Sequence, residues 1–263
     1  MIRSLSYLLT VVLAVLLSIA AANAADQSRL QRILETGKLR VGTTGDFKPM
    51  SFRDTASNEY IGLDIDAVKK LAQDMEVELE FVPTDWKTLI NGIVADKYDM
   101  TTSASLNMTR AKVAGYSNPY VYFGTVPLTL KKNLERFNGW DSINQEGISV
   151  AVTLGTVFDQ QARDYFPNAA IVAVEAPARD YQEVLSNRAD VSITSNIEAA
   201  SLVETYPELV QIPIDNMRSM RPGAFLLPQA DQIWINYVNH WVDLNETQGF
   251  FDTLSEKWLQ IKN

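Results

Sequence analysis

A regular alternation of short apolar runs with amphipathic stretches constrains this chain more than any other feature. Apolar runs at residues 39–43, 77–82 and 100–103 have the length and composition of strands. Between them, Asp64–Met75 carries Ile65, Val68 and Leu71 on one helical face, and Trp86–Val94 has apolar residues at helical spacing. This alternation predicts a mostly parallel sheet with helices on both faces.

The same rhythm starts again after a polar segment at residues 131–144. Strands are predicted at 148–152, 171–174 and 191–194, and helices at 157–165, 181–185 and 197–203. Two further apolar, extended segments at 125–130 and 223–227 lie at the ends of this second block.

This layout predicts an α/β fold of two lobes joined by two crossing strands, with parallel-rich sheets in each lobe. Residues 25–125 would form the first segment of lobe 1 and residues 126–223 lobe 2. Residues 224–263 would return to lobe 1 and supply the C-terminal helices. The cleft between two such lobes is the natural place for a ligand.

The first 24 residues read as a cleavable signal peptide. Arg3 gives a positive start, Leu8–Ala21 is an uninterrupted apolar run, and Ala22-Asn23-Ala24 has the small residues of a cleavage site. The alternative is an uncleaved membrane anchor, although the run is shorter than the roughly 20 residues of a spanning helix. We therefore expect a periplasmic protein whose mature chain is not embedded in a membrane.

Charge and residue usage exclude several classes of function. The chain has 23 basic and 32 acidic residues, so removing Arg3 with the signal leaves 22 − 32 = −10, which disfavours nucleic acid as a partner. It has no cysteine and a single histidine, His240. Disulfides, thiolate chemistry and histidine-based metal clusters are therefore not expected, and nothing in the sequence implies a cofactor or a metal.

Several motifs, taken in order, carry a family resemblance. The chain resembles the polar amino-acid-binding proteins of ABC importers, which are solute-binding proteins of family 3, at Ile33–Gly42, Gly62–Asp66, Tyr98–Met100, Thr109-Arg110 and Tyr116–Tyr120. The resemblance implies the type II periplasmic-binding-protein fold, a small carboxylate ligand and an importer permease as a possible partner.

A closer resemblance is to the periplasmic cyclohexadienyl dehydratases, which are lyases on the same fold. It rests on Ser28–Glu35, Thr43–Pro49, Ala189-Asp190, Thr194 and Ile197–Ala199. These enzymes remove water and carbon dioxide from prephenate or arogenate. Because one fold hosts both activities, the resemblance predicts the fold but leaves receptor and lyase as alternatives.

Arg110 is the foremost candidate for binding a ligand. A guanidinium matches a carboxylate with two parallel hydrogen bonds and stays charged at any working pH. The resemblance implies that this arginine holds the ligand's carboxylate, and Thr109 is a candidate N-cap that would aim backbone N–H groups at the same anion. The alternative is a solvated helix arginine paired with a nearby acid.

The other candidates come from both blocks. Gly155 and Thr156 follow a predicted strand and open a predicted helix, so they would supply the second lobe's contacts to the carboxylate, unless they form an ordinary turn. Trp86 and Phe47 are candidate apolar walls, with core packing as the alternative. Ser103 and Ser105 follow a strand end and could donate hydrogen bonds to the ligand.

Glu198 bears on the question of catalysis. The resemblance implies that a glutamate in this Ile-Glu-Ala context is the general acid of the dehydratase, which requires a raised pKa. However, Ser195 to Glu198 also fits a capping box, in which the glutamate would bond the N-cap backbone and be ionised. Both alternatives remain open from the sequence.

Departures from the dehydratase pattern weigh against dehydration. That pattern has lysine at Thr125, asparagine at Thr153, aspartate at Ser195 and tyrosine at Phe47, and the loop 153–155 is one residue shorter here. Receptors of this fold also place an acid at Ser195 for the ligand's ammonium, and here only Glu198, one helical turn on, could take that role. The resemblance makes Thr153 and Ser195 further candidates for ligand contact. The sequence therefore predicts a binding protein for a small carboxylate, an amino acid or a related ring acid, with a cyclohexadienyl-dehydratase-like lyase as the alternative.

Overall fold

A computed structural model describes residues 27–259 of the chain, so the predicted signal peptide lies outside the described residues. The first helix, α1 (Arg29–Thr36), begins after Ser28, whose hydroxyl accepts a hydrogen bond from the backbone N–H of Leu30. It ends at Gly37, which has the left-handed conformation that glycine adopts without strain.

The next elements build a small α/β unit. They are β1 (Lys38–Thr43), β2 (Asp46–Phe47), β3 (Ser51–Arg53), β4 (Tyr60–Ile61), α2 (Leu63–Asp74), β5 (Glu78–Pro83), α3 (Leu89–Val94) and β6 (Met100–Thr101). Strands β5, β1 and β6 form a parallel sheet, and β2, β3 and β4 form a separate antiparallel one. Helix α2 buries the predicted face, including Ile65, Val68 and Leu71.

The remaining elements complete this unit and build a second one. The elements are β7 (Ser103–Ser105), α4 (Met108–Ala111), β8 (Gly115–Tyr116), β9 (Val121–Leu130), a 3₁₀ turn (Lys131–Arg136), β10 (Ser149–Thr153), α5 (Val157–Tyr165), β11 (Ala170–Val174), α6 (Asp180–Leu185), β12 (Val191–Ser195), α7 (Asn196–Thr205), β13 (Leu209–Gln211), β14 (Arg218–Leu227), α8 (Gln232–Thr247) and α9 (Phe250–Leu259).

Two long strands connect the units. Strands β9 and β14 pair antiparallel at the centre of an eight-stranded sheet that runs β11-β10-β12-β9-β14-β7, with β13 added to β9 and β8 to β14. Strands β10, β11 and β12 are parallel. The boundaries predicted at residues 125 and 223 fall inside β9 and β14, and as domain limits they stay a prediction.

Separate hydrophobic cores define two lobes. We call lobe 1 the part with β1–β8, α1–α4, α8 and α9, whose core joins Val41 and Leu71 to Trp234 near the C-terminus. Lobe 2 contains β10–β13 and α5–α7, with cores around Val150 and Val184. The predicted two-lobed α/β architecture is what the structure has. Within residues 27–259 no helix combines the length and apolar character needed to cross a membrane.

The two crossing strands begin earlier than predicted, at Val121 and Arg218, and two elements of lobe 1 also differ in their limits. The helix expected to begin at Trp86 begins at Leu89, because residues 86–88 form a turn in which the Asp85 carboxylate accepts a hydrogen bond from the Thr88 N–H at 2.8 Å. The strand expected at 100–103 is interrupted at Thr102, which separates β6 from β7.

Candidate ligand-binding cavity

A cavity lies between the lobes where β2, β7 and α4 of lobe 1 face α5, α6 and α7 of lobe 2. The free space within it amounts to about 400 Å³, part of which opens to solvent. Its walls contain five apolar residues, four hydroxyl residues and three charged ones: Phe47, Trp86, Phe123, Val157 and Phe158; Ser103, Ser105, Thr156 and Ser195; Arg110, Arg179 and Glu198. Eight of the ten site residues predicted from the sequence therefore lie together, and Thr153 and Gly155 do not line this cavity.

Arg110 is held by a short helix at the edge of lobe 1. Helix α4 begins after Asn107, whose side-chain oxygen accepts the Arg110 N–H at 2.8 Å. The N-cap is therefore Asn107, and the prediction of Thr109 was wrong. Asparagine is among the strongest N-cap residues, and at this position it adopts the extended backbone that a cap requires.

The guanidinium of Arg110 is buried without a carboxylate partner. The residue is 8% exposed, and its Nη1 and Nη2 donate to the backbone carbonyls of Ser105 at 3.3 Å and Gly155 at 2.9 Å. Among residues 27–259 no carboxylate lies within 4.0 Å of it. Burial lowers the pKa of Arg110, whereas nearby Tyr116 opposes that shift. A buried cation with only neutral partners is costly, so this position favours an anion in the cavity.

The lobes touch closely at Gly155. This residue has φ +83°, and a Cβ built on it would lie 2.6 Å from the backbone N of Lys87 in lobe 1. Thr156 lines the cavity at the N-cap position of α5, as the sequence predicted for a strand-to-helix turn. Its hydroxyl donates to the Thr153 carbonyl at 2.6 Å, so it is engaged within the turn.

Aromatic rings form most of the apolar wall. The Phe47 ring contacts the Trp86 ring edge-on, with centroids 5.8 Å apart, and the Phe123 ring at 5.5 Å. Phe123 comes from crossing strand β9, and Phe158 comes from α5 of lobe 2. Sequence analysis missed these two because a single phenylalanine in a predicted strand or helix is indistinguishable from core packing.

The predicted serines differ in their engagement. Ser103 donates both its N–H and its hydroxyl to buried Asp64, at 3.0 and 2.7 Å, and Asp64 also accepts the Tyr120 hydroxyl at 2.7 Å. Burial raises the pKa of Asp64 to about 6, against these hydrogen bonds. The backbone carbonyl of Ser105 accepts the hydrogen bond from Arg110 Nη1 described above.

Glu198 lies in α7 with both carboxyl oxygens engaged by protein. Arg179 Nη2 donates to Oε1 at 2.7 Å, and the Thr194 hydroxyl forms a short hydrogen bond with Oε2. The Ser195 hydroxyl accepts the Glu198 N–H at 3.0 Å, so the serine half of the predicted capping box is present. The glutamate half is not, because the side chain turns to Arg179.

The pKa of Glu198 is raised to about 7. Burial is the main cause, the Arg179 guanidinium opposes it, and the carboxylates of Asp180 and Asp46 add to it. A proton held at this carboxyl would lie against Thr194, since Oε1 is occupied by the guanidinium.

Arg179 is the functional candidate that sequence analysis missed. It is 6% exposed at the N-cap of α6, and its three donor nitrogens reach Thr153, Glu198 and Asp46. An arginine before a predicted helix carries no signal by itself. Its Asp-Tyr context also resembles an ordinary polar helix start.

Two of the positions that depart from the dehydratase pattern, Thr153 and Thr125, do not line the cavity. The Thr153 hydroxyl donates to Asp180 at 2.8 Å and accepts from Arg179 Nε at 3.2 Å. The Thr125 hydroxyl lies 2.7 Å from the side-chain amide of Gln161. Within the described part of the chain, no group of three or more histidine, aspartate or glutamate side chains is arranged to hold a metal ion.

Comparisons with known proteins agree with this architecture. The model of the bacterial extracellular solute-binding proteins, family 3, matches residues 39–261. Cyclohexadienyl dehydratase from Pseudomonas aeruginosa is 33% identical over 99% of this chain and 97% of its own. The L-cystine-binding protein TcyJ from Escherichia coli is 23% identical over 89% of this chain and 87% of its own.

A solved structure of an amino acid-binding protein has the same fold. The ancestral amino acid-binding protein AncCDT-1, described as a precursor of cyclohexadienyl dehydratase, superposes with a TM-score of 0.83. It is 34% identical and covers 88% of this chain and 100% of its own. The similarity therefore extends to receptors and to an enzyme.

Proposed function

Because the chain belongs to the bacterial extracellular solute-binding proteins of family 3, we propose that it is a solute-binding protein whose lobes close over a small organic carboxylate. The ligand is an amino acid or a related ring acid. Arg110 binds the carboxylate together with the turn at Gly155 and Thr156, and the rings of Phe47 and Trp86 enclose the apolar part.

The buried, unpaired guanidinium of Arg110 is the observation that carries this proposal. The other buried arginine among residues 27–259, Arg179, contacts Glu198 at 2.7 Å. Arg110 instead faces the cavity with neutral partners, two backbone carbonyls and the Tyr116 hydroxyl. A ligand carboxylate supplies the missing negative charge and accepts two charge-assisted hydrogen bonds.

The relatives support an exported receptor. TcyJ is an L-cystine-binding protein and AncCDT-1 an amino acid-binding protein. We extend the proposal to the compartment and the partner: the first 24 residues are a cleavable signal, the mature chain works in the periplasm, and it delivers its ligand to an importer permease. Lobe boundaries near residues 125 and 223 belong to the same proposal.

Substitution of Arg110 tests the binding role. We expect Arg110→Ala to weaken the tightest ligand found in a calorimetric screen of L-amino acids and ring carboxylates by at least about tenfold, since a bidentate charged contact is lost. Arg163→Ala is the matched control, because Arg163 is an exposed arginine paired with Asp159 on the outer face of α5. Unchanged affinity in Arg110→Ala would remove the central assignment.

The second candidate function is a cyclohexadienyl-dehydratase-like lyase with Glu198 as general acid. Its favouring observation is the pKa of Glu198, raised to about 7, which suits a general acid near neutral pH. The engagement of both carboxyl oxygens by Arg179 and Thr194 weighs against it. So does the presence of threonine at 125 and 153, where the dehydratase pattern has charged and amide side chains.

Turnover of prephenate separates the two functions. The purified mature protein is incubated with prephenate, and phenylpyruvate is followed by its absorbance in base, with Glu198→Gln in parallel. Phenylpyruvate formation that disappears in Glu198→Gln would establish the lyase. We expect no turnover above the uncatalysed background.

A further inference from the structure

Arg179 and Asp46 form an ion pair in the cavity wall that joins the two lobes. We infer that Arg179 is the positioning residue for closure: it stays attached to lobe 2 and captures Asp46 of lobe 1 when the lobes come together. This inference rests on the proposed function, since closure matters only for a protein that encloses a ligand. Hinged closure of two lobes about a ligand is a known type of domain motion.

On the lobe 2 side the guanidinium is preorganised. Its Nη2 donates to Glu198 at 2.7 Å and its Nε donates to Thr153 at 3.2 Å. Asp180 lies 3.7 Å from Nε. Thr153, Asp180 and Glu198 all belong to lobe 2, so these contacts persist when the lobes separate. Arg179 therefore keeps its orientation and its burial cost is offset within lobe 2.

On the lobe 1 side Asp46 is aimed at the same guanidinium. Arg179 Nη1 lies 3.0 Å from Asp46 Oδ2 and also donates to the Asp46 backbone carbonyl. The indole N–H of Trp86 donates to Oδ1 at 3.0 Å and fixes the carboxylate. Asp46 is adjacent to Phe47 in the chain and hydrogen-bonded to Trp86. The Arg179–Asp46 ion pair therefore forms where these two aromatic residues of the cavity wall face lobe 2.

Arg110 also reaches across the cleft to the Gly155 carbonyl at 2.9 Å, but that contact is a hydrogen bond to a neutral group, and the other ion pair across the cleft is a weaker candidate. Within residues 27–259 one other ion pair joins the lobes, Lys87 to Glu175 at 2.6 Å, and its side chains are 55% and 61% exposed. Exposed pairs of this kind contribute little. The side chains of Arg179 and Asp46 are 7% and 25% exposed, so their attraction is screened far less.

The desolvation needed to form the Arg179–Asp46 ion pair on closure is small. When the lobes open, Asp46 returns to water, and Arg179 retains Glu198. When they close, only the Asp46 carboxylate must be partly desolvated, and it gains a guanidinium that is already in place. Because the Arg179 guanidinium is already ordered, the ion pair stabilises the closed state more than a pair of two flexible side chains would. The closed arrangement is therefore stabilised by the protein itself, independently of the ligand.

The test measures lobe closure directly and needs no ligand. The chain has no cysteine, so Lys69→Cys in lobe 1 and Lys132→Cys in lobe 2 provide a unique pair of spin labels at exposed positions. Distance distributions are recorded by pulsed electron resonance on the ligand-free mature protein. The variants are Asp46→Asn, which keeps the size and an acceptor for Trp86, and Lys87→Met as the control for the exposed bridge.

We expect Asp46→Asn to lower the ratio of closed to open molecules at least about fivefold and Lys87→Met to leave it within twofold. Identical distributions for Asp46→Asn and the wild-type protein, whether closed or open, overturn the inference. An equal loss in Lys87→Met overturns it as well, because the effect would then be general to cleft charges. A melting temperature of Asp46→Asn close to that of wild type shows that the variant is folded.

Ligand binding gives a second, independent readout. For the ligand identified in the calorimetric screen, Asp46→Asn should dissociate at least about fivefold faster with little change in association, and the order of preference among carboxylates should be unchanged. If no carboxylate binds, the proposed function fails and the distance measurement still decides the role of the pair. If carboxylates bind but the distances do not change, the closure inference alone fails.

Discussion

At the scale of single residues, the cavity contrasts two buried arginines. Arg110 has carbonyl partners and no acid, whereas Arg179 is surrounded by Asp46, Asp180 and Glu198. The first arrangement is incomplete without an anion, and the second is complete within the protein. We therefore expect the same residue type to serve ligand binding in one place and architecture in the other.

Ser195 offers a test of the ligand's ammonium group. Its hydroxyl caps α7 by accepting the Glu198 N–H at 3.0 Å, and it also lines the cavity. Aspartate caps helices as well as serine does, so Ser195→Asp should keep α7 intact and add a carboxylate beside the ligand. We expect the preference for an amino acid over its 2-oxo acid analogue to rise about tenfold.

The measurement compares L-phenylalanine with phenylpyruvate, and each further amino acid that binds with its own oxo acid, by titration calorimetry. Ser195→Asn is the control, since it has the same shape and cap without the charge. If the ratio of the affinities for the amino acid and the oxo acid changes equally in both variants, the added volume and not the carboxylate changes the preference.

At the scale of elements, the order of helices and strands followed from local patterns. Helix α2 and helix α5 were predicted within one residue of their limits, because their apolar faces and flanking turn residues are local signals. The start of α3 was predicted three residues early. The hydrogen bond from Thr88 N–H to Asp85 holds residues 86–88 in a turn, and that turn directs Trp86 to the cavity.

The turn between β10 and α5 provides a prediction at this scale. Gly155→Ala would place a Cβ 2.6 Å from the Lys87 backbone N, across the cleft, at a φ of +83°. Gly147→Ala is matched in strain, since Gly147 has φ +80° and nothing within 4 Å of its Cβ position. Both variants should lose about 1 kcal/mol of stability from the left-handed backbone.

Only Gly155→Ala should also weaken ligand binding, because its Cβ obstructs the contact between lobes. Thermal melts measure the loss of stability expected in both variants. Calorimetric titration with the ligand identified in the screen measures the difference in their affinities. Equal affinities in the two variants would contradict a close approach of Lys87 to this turn in the bound state.

At the scale of the whole molecule, buried acids in both lobes determine how stability depends on pH. The pKa of Asp64 in lobe 1 is raised to about 6, and that of Glu198 in lobe 2 to about 7, in each case mainly by burial. Both carboxyls have lower pKa values in the unfolded chain. The folded state therefore binds more protons between roughly pH 4 and 7.

Since stability falls with pH wherever the folded state binds more protons, the stabilisation is full below about pH 4 and is lost as pH rises to 7. Each group contributes a slope of up to about 1.4 kcal/mol per pH unit within its own window. The check is the urea-unfolding free energy at several pH values. Glu198→Gln should flatten the curve near pH 5–7 and Asp64→Asn near pH 4–6, and a rise in wild-type stability over this range would contradict the prediction.

The sequence by itself determined the two-lobed α/β architecture and the family resemblance, because strand and helix periodicity and short motifs are local properties. It also singled out Arg110, Trp86, Phe47 and Glu198 as candidates, and all four line one cavity.

Only the tertiary structure decided what Glu198 contacts and which residue joins the lobes. Asp46, Thr153, Arg179 and Glu198 come from four separate segments, and no local pattern indicates that they meet. A charged side chain can satisfy its hydrogen bonds with many partners, and its choice depends on the packing of whole elements and on burial. The electrostatics of the cavity therefore follow from how the lobes fold and close.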